Sequence, residues 1–186
     1  MTYNPKKHHR RSIRLQGYDY SETGAYFITF CTYQRECLFG EIINGQMRLN
    51  QYGQIVAEEW GHSSAIRQEI ELDVWVVMPN HFHGIVVIQS VGNRHSVGAN
   101  GRSPLQGVAP PMKPRSLSSL VAGFKSATTK RINLVRNTSA TPVWQRNYYD
   151  HIIRDESSLQ KIRQYVETNP LAWEVDQLHP NNPSKW

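Results

Sequence analysis

Two histidines, His81 and His83, lie one residue apart at the head of an apolar segment that runs to Ile88. Successive side chains of a β-strand point to opposite faces, so both imidazoles would project from one face and Phe82 from the other. Imidazole is the commonest metal ligand in proteins, and two imidazoles on one rigid face can hold a metal ion. The same pattern also occurs by chance. The spacing therefore predicts a metal site that other residues must complete.

Three of the nine tyrosines are candidates for a nucleophile. Tyr148 and Tyr149 stand beside His151, but on a strand one of the pair faces away, and packing in the sheet is the simpler interpretation. Tyr165 lies at the margin of a helical apolar stripe, a position that by itself favours a half-buried packing residue. A phenol with an ordinary pKa near ~10 is a weak nucleophile at neutral pH, so it would need a neighbouring cation to activate the group that it attacks.

Two histidines leave a divalent site short of ligands, and oxygen donors would suit magnesium or manganese. Asn169 stands four residues after Tyr165, so a helix would place both on one face about one turn apart. We expect Asn169 to be the third metal ligand. Against this, Pro170 disfavours helical geometry at Asn169, and Glu167 or Asp73 is the competing donor.

The elements that must position these groups follow from alternation, turn residues and helical periodicity. Asn44-Gly45 indicates the turn of a short hairpin. The order of the elements predicts an α+β, ferredoxin-like split βαβ sandwich, an antiparallel sheet with helices on one face. The predicted strands span 25–33, 72–77, 81–88 and 143–149, the hairpin spans 39–49, and the helices span 51–67, 117–134 and 159–167.

At 186 residues the chain is long enough for one well-packed domain, which we assign to 15–178. Residues 1–14 form a basic arm without an acid, and we expect it to be flexible. Residues 90–116 are rich in glycine, proline and basic residues, which predicts a mobile insertion loop. Residues 179–186 are expected to form a polar tail.

A net charge of +6 and a pI near 9.4 suggest a polyanionic partner, nucleic acid before acidic membrane surfaces. No apolar run approaches the roughly 18 residues that a membrane span requires. The basic start lacks the apolar core of a signal peptide, so we expect a cytoplasmic protein. Cys31 and Cys37 fit that compartment as free thiols.

Clustered cations give the salt-dependent affinity that is typical of binding to a phosphate backbone. His151 could orient a ligand or contact DNA, or it could be a surface residue at the end of a strand. The cations that we expect to contact DNA are Lys6, Lys7, Arg10, Arg11 and Arg14 in the arm, with Lys125 and Arg146.

Three segments in order, VVMPNHFHGIVVI, WQRNYYDHIIRDE and IRQYVETNP, resemble the single-tyrosine transposases of the HUH nuclease superfamily. The closest likeness is to the REP-associated tyrosine transposases of bacteria, and it runs from about Ser12 to Trp173. The resemblance implies the same ferredoxin-like architecture. It also implies a metal on His81 and His83, and it makes Tyr165 the nucleophile.

The resemblance further implies the cleavage and rejoining of single-stranded DNA, with Tyr165 taking the 5′ phosphate and leaving a 3′ hydroxyl. It implies Mg²⁺ or Mn²⁺, although imidazole by its softness would prefer zinc or copper. The implied substrate is hairpin or palindromic repeat DNA, and a monomer is expected. Two alternatives stay open: a catalytically inactive protein that only binds DNA hairpins, and a hydrolytic metal-dependent phosphodiesterase with a structural Tyr165.

Overall fold

Four strands form one sheet in the computed structural model, which describes residues 15, 17–90 and 113–182. The four strands are β1 (Gly24–Cys31), β4 (Ile70–Met78), β5 (His81–Ile88) and β6 (Tyr149–Ile153). Their spatial order is β4-β5-β1-β6, and each neighbouring pair is antiparallel. The α+β class with an antiparallel sheet is therefore confirmed, while the ferredoxin-like assignment within that class stays a prediction.

A separate hairpin of β2 (Gly40–Ile43) and β3 (Gln46–Leu49) turns at Asn44 and Gly45, as the sequence predicts. Both turn residues have a positive φ, 53° and 72°, the conformation that asparagine and glycine tolerate in a two-residue hairpin turn.

Side chains at the helix starts satisfy backbone N–H groups that have no partner within the helix. Asn50 accepts from the N–H groups of Tyr52 and Gly53, and Ser116 forms a reciprocal capping box with Ser119. Asp155 accepts from the N–H of Ser158. The helices are α1 (Gln51–Ile66), α2 (Leu117–Val135) and α3 (Glu156–Thr168), and a 3₁₀ segment (Asn169–Val175) follows α3 directly.

The larger core lies between one face of the sheet and the helices α1 and α2. Phe82 stacks on Phe30 with ring centroids 5.6 Å apart and meets the Trp60 ring at 4.7 Å. Gly84 permits this approach, because a Cβ there would lie 2.8 Å from the Phe82 ring and 3.2 Å from Trp60. Phe82 therefore fixes the core face of β5, and its two histidine neighbours must face the other way.

Helix α3 covers the opposite face of the sheet, so the prediction that all helices lie on one face is wrong. Val166 packs there in a smaller cluster with Phe27, Ile85 and Ile153. An apolar stripe shows which side of a helix is buried, but it does not show which face of the sheet receives it.

The last strand begins later than the sequence indicates, so the predicted strand 143–149 is wrong. Trp144 makes only an isolated bridge with Thr32, while β6 starts at Tyr149. The indole N–H of Trp144 donates to the Thr128 hydroxyl at 2.8 Å. This aromatic residue is thus held by a helix, and the segment before β6 is irregular.

The arm 1–14, most of the insertion 90–116 and the last four residues lie outside the described residues. The end of the insertion is held in place: Ser116 is buried at the start of α2, and Lys113 pairs with Asp19. At the predicted tail, the N–H of His179 donates to the carbonyl of Asp176 at 3.1 Å. No helix among the described residues has the length and apolarity that crossing a membrane requires.

Candidate metal and tyrosine site

His81 and His83 open β5 directly after Pro79 and Asn80. His83 faces Tyr165 on α3, and His81 faces Trp173 on the 3₁₀ segment that follows α3. The two rings lie 4.6 Å apart between centroids, and the residues are 0% and 2% exposed. Because β5 is paired on both sides, with β1 and β4, the backbone below the pair is fixed over its whole length. The paired imidazoles that the sequence predicts are therefore present on one rigid face.

The side chain of Asn80 orients His81. Its amide nitrogen donates to the carbonyl oxygens of Arg35 at 3.2 Å and Leu178 at 2.7 Å. Its oxygen therefore faces Nδ1 of His81, 2.8 Å away, and accepts the proton that Nδ1 carries. The unprotonated Nε2 is then turned into the site, which is the tautomer a metal ligand needs.

His83 is held between Thr29 and Tyr165. Its Nδ1 lies 2.8 Å from Oγ1 of Thr29, and its Nε2 lies 3.3 Å from the Tyr165 hydroxyl. Both partners are hydroxyls, so either neutral tautomer of His83 satisfies both contacts. In the tautomer that a metal ligand at Nε2 needs, Nδ1–H donates to Thr29 and the Tyr165 O–H donates to Nε2. The Phe27 ring stacks on His83 at 5.4 Å and fixes the plane of the imidazole.

The chain after Tyr165 delivers two oxygen donors. Asn169 keeps helical φ and ψ of −56° and −41° in spite of Pro170, and it is buried. Its Oδ1 lies 3.4 Å from Nε2 of His81, so the predicted proximity to the histidines is present. Asp176, seven residues further along, lies 3.9 Å from the same nitrogen and accepts from Nδ2 of Asn169 at 3.1 Å.

Asp176 is the acidic residue that the sequence reasoning missed. Among the described residues, it is the carboxylate that groups with both histidines, with one ligand atom of each within 4.8 Å of the others. Its distance along the chain from the His pair gave no sign of this contact. The competing donor Asp73 instead binds the Arg163 guanidinium at 2.6 Å, and Glu167 is exposed.

The donor set fits a cation. In the tautomer described above, Nε2 of His81 is an acceptor that faces two further acceptors, Oδ1 of Asn169 at 3.4 Å and the carboxylate of Asp176 at 3.9 Å. Nδ2 of Asn169 donates to Asp176 and holds the two oxygen groups together beside the imidazole. Buried acceptors that face one another in this way repel unless a positive charge lies among them. Two imidazoles with a carboxylate and an amide oxygen are a ligand set that suits a divalent metal.

Burial shapes the ionisation of the site. Burial lowers the pKa of both His81 and His83, which keeps the imidazoles neutral and able to bind a metal at neutral pH. Burial also raises the pKa of Tyr165 to about 12, and the negative charge of Asp176 adds to that effect. Tyr165 is therefore a neutral phenol at pH 7. Its side chain is nevertheless 46% exposed, so a large substrate can reach it.

The other predicted residues lie elsewhere. The amine of Lys125 donates to the backbone carbonyls of Gln145 and Asn147, both at 2.9 Å, so it is engaged within the protein. Arg146 is exposed on the surface. His151 lies on β6, exposed, and lines a separate depression with Tyr20 and Arg154. The five cations of the arm lie outside the described residues.

The sequence of this chain was compared with those of known proteins to find its family. No family model matches the chain. An uncharacterized protein of Haemophilus influenzae is 43% identical over 181 residues, which cover 95% of this chain and 97% of that protein. The chain belongs to the same family as this Haemophilus protein.

A solved structure identifies the fold. The REP-associated tyrosine transposase bound to a REP hairpin aligns with a TM-score of 0.56 and 17% identity, over 95% of this chain and 91% of that one. The resemblance that the three sequence segments indicate is thus confirmed in the fold. The likeness shows a shared fold, while the reaction has to be argued from the site itself.

Proposed function

We propose that this protein cuts and rejoins single-stranded DNA through a covalent bond between Tyr165 and a 5′ phosphate. The observation that carries the proposal is the 3.3 Å contact of the Tyr165 hydroxyl with Nε2 of His83, beside a cluster of acceptors that fits a divalent cation. The proposed nucleophile would thus be hydrogen-bonded to a residue of the site that activates the phosphate.

In the proposed reaction, the Tyr165 oxygen attacks the phosphorus and forms a phosphotyrosine ester. The bond from phosphorus to the 3′ oxygen breaks, the phenol loses its proton, and the departing oxygen takes up a proton to become a 3′ hydroxyl. One ester replaces another, so the bond energy is kept for rejoining. The 5′ polarity follows the transposase resemblance.

We propose that His81, His83 and Asp176 hold Mg²⁺ or Mn²⁺, with Asn169 as a further oxygen ligand. Such an ion, when bound, polarises the phosphate and lowers the cost of the developing charge. The residues of the chain do the rest: Asn80 and Thr29 fix the imidazoles, and α3 holds the phenol beside them. All these groups come from one chain, which supports the proposal that a monomer is sufficient.

We propose hairpin DNA with unpaired flanks as the substrate. The solved transposase of this fold is bound to a REP hairpin, and the net charge of +6 favours a polyanion. The basic arm, with Arg146, is the proposed source of phosphate contacts. We place the reaction in the cytoplasm, as the sequence indicates.

The test incubates purified protein with Mn²⁺ or Mg²⁺ and a single-stranded hairpin oligonucleotide pool, then separates the products under denaturing conditions. We expect a protein–DNA adduct that Tyr165→Phe abolishes and that the matched control Tyr52→Phe retains, with DNA binding unchanged in both. A protein that only binds hairpins would give no adduct, and a hydrolytic phosphodiesterase would cut without one. An undiminished adduct in Tyr165→Phe would contradict the assignment of the nucleophile.

A further inference from the structure

A cavity of about 480 Å³ lies beside the proposed reacting groups. His83, Tyr165 and Asp176 contribute to one part of its lining. Gln145, Asn147 and Tyr149 also line it, and none of these three belongs to the proposed metal site. Its volume lies within the range of small-ligand sites, roughly 300–1,000 Å³.

The wall formed by residues 145–147 has a fixed backbone. The N–H of Gln145 donates to the carbonyl of Cys31 at 2.9 Å. The amine of the half-buried Lys125 donates to the carbonyls of Gln145 and Asn147, both at 2.9 Å, and lies 5.2 Å from the centre of the Phe30 ring. A segment held at both of its carbonyls presents its two side-chain amides with little further loss of conformational freedom.

An aromatic ring completes this part of the cavity. Tyr149 is 37% exposed, and its ring meets the edge of Phe27 with centroids 6.3 Å apart. Phe27 also stacks on His83, so the Tyr149 ring is connected to the histidine pair through one shared neighbour. A partly exposed aromatic ring beside side-chain amides offers a stacking surface and hydrogen-bonding groups together.

We propose that this cavity binds one unpaired nucleobase, that of the nucleotide next to the cleaved phosphodiester. The proposal rests on the proposed function, which puts the phosphate at the histidines and the neighbouring nucleotide within reach of the cavity. Aromatic stacking with amide contacts to a base edge is how proteins read unpaired bases. The side chains of Gln145, Asn147 and Tyr149 are uncharged and suit a base, whereas Arg35, which also lines the cavity, suits the phosphate of the same nucleotide.

If the cavity binds this base, side chains of the protein should select which base stands next to the cleaved bond. Stacking of a base on an aromatic side chain and amide contacts to its edge together correspond to at least about a tenfold preference. Tyr149 would supply the stacking, and Gln145 and Asn147 would supply the selectivity.

The experiment uses oligonucleotides with one fixed stem-loop and randomised unpaired flanks. Covalent adducts are recovered and sequenced for the wild type, Tyr149→Ala, the double variant Gln145→Ala/Asn147→Ala, and the matched control Tyr149→Phe. We expect one base to be enriched about tenfold or more at a fixed position beside the tyrosine linkage. The two alanine variants should flatten this enrichment and Tyr149→Phe should keep it, with Mn²⁺ affinity unchanged throughout as the measure of an intact fold.

A second measurement does not depend on cleavage. The four nucleoside 5′-monophosphates are titrated into wild-type protein and Tyr149→Ala while the side-chain amide signals of Gln145 and Asn147 are followed by NMR. We expect saturable shifts that Tyr149→Ala weakens about tenfold or more.

The outcomes separate the two proposals. Adducts without a base preference at the cut site, or with a preference that all variants keep, would overturn the base pocket and leave the proposed function intact. Failure to form any Tyr165-dependent adduct, together with monophosphate binding that Tyr149→Ala weakens, would overturn the proposed function and keep the pocket. Monophosphate shifts that are absent, or equal in both proteins, would also count against the pocket.

Discussion

The hydroxyl of Tyr165 lies 3.3 Å from Nε2 of His83, so the proposed nucleophile is hydrogen-bonded to the nitrogen that a metal would need. In the tautomer that a metal ligand needs, the O–H donates to the lone pair that would otherwise face a cation. Metal binding at His83 therefore has to displace this hydrogen bond, and the phenol is released at the same moment.

This relationship predicts that Tyr165→Phe binds Mn²⁺ more tightly than the wild type does. The variant removes a competing hydrogen bond worth about 0.5–1.5 kcal/mol, so the expected gain is about two- to tenfold. Calorimetric titration without DNA measures it, with Tyr149→Phe as the control. A weaker affinity in Tyr165→Phe would mean that the phenol oxygen is itself a metal ligand.

Asp176→Asn should lower Mn²⁺ affinity about tenfold or more, because it removes the negative charge of the acidic donor in the group. Asn169→Ala should lower the affinity less, since it removes a neutral oxygen and a hydrogen bond to Asp176. Glu174→Gln is the matched control: this carboxylate is exposed on the same 3₁₀ segment. The reverse ranking would make Asn169 the dominant oxygen ligand.

Asn80→Ala should lower Mn²⁺ affinity about 10- to 100-fold, because the partner that fixes the tautomer of His81 is lost. Asn80→Asp keeps an acceptor for Nδ1 of His81 while it loses both donor contacts, to Arg35 and Leu178. If orientation of His81 is the cause, Asn80→Asp retains most of the affinity. An equal loss in both variants would point instead to the carbonyl contacts.

The lowered pKa of Lys125 predicts that the stability of the protein depends on pH. Burial lowers the pKa of this amine from 10.5 to about 8, so the folded state loses its proton before the unfolded chain does. The cost of burying the charge is present in full below pH 8 and fades between pH 8 and 10.5, so its contribution to stability rises with pH. We expect the melting temperature of the wild type, minus that of Lys125→Met, to increase from pH 7 to pH 10. The same difference for Lys130→Met, on the exposed side of α2, should stay flat. A flat difference for Lys125→Met would mean that the amine stays protonated in the fold.

Patterns among neighbouring residues predicted most of the helices and strands, and four residues of the candidate site: His81, His83, Tyr165 and Asn169. The alternation of His81, Phe82 and His83 is a property of one strand, and the spacing of Tyr165 and Asn169 is a property of one helix, so both can be read from neighbouring residues. The structure brings these two pairs together as the sequence suggests. Their roles in metal binding and cleavage stay predictions.

Asp176 and the start of β6 depend on contacts across the chain. Asp176 reaches His81 because a 3₁₀ segment continues the chain past Pro170, a turn that the proline signal did not reveal. Trp144 has the composition of a strand residue, but its indole donates to Thr128 on α2 and only one bridge forms. In both cases a partner distant in sequence decided the local structure.

The two parts of the proposed site lie on elements that should differ in the free energy needed to open them. His81 and His83 belong to a strand paired on both sides and backed by the larger core, so their amide protons should exchange with solvent only through global unfolding. Helix α3, which carries Tyr165, is held by the smaller cluster around Val166. The amide protons of α3 should exchange through a partial opening that requires less free energy than global unfolding. The nucleophile could then be displaced to admit or release a DNA strand while the paired histidines keep their geometry.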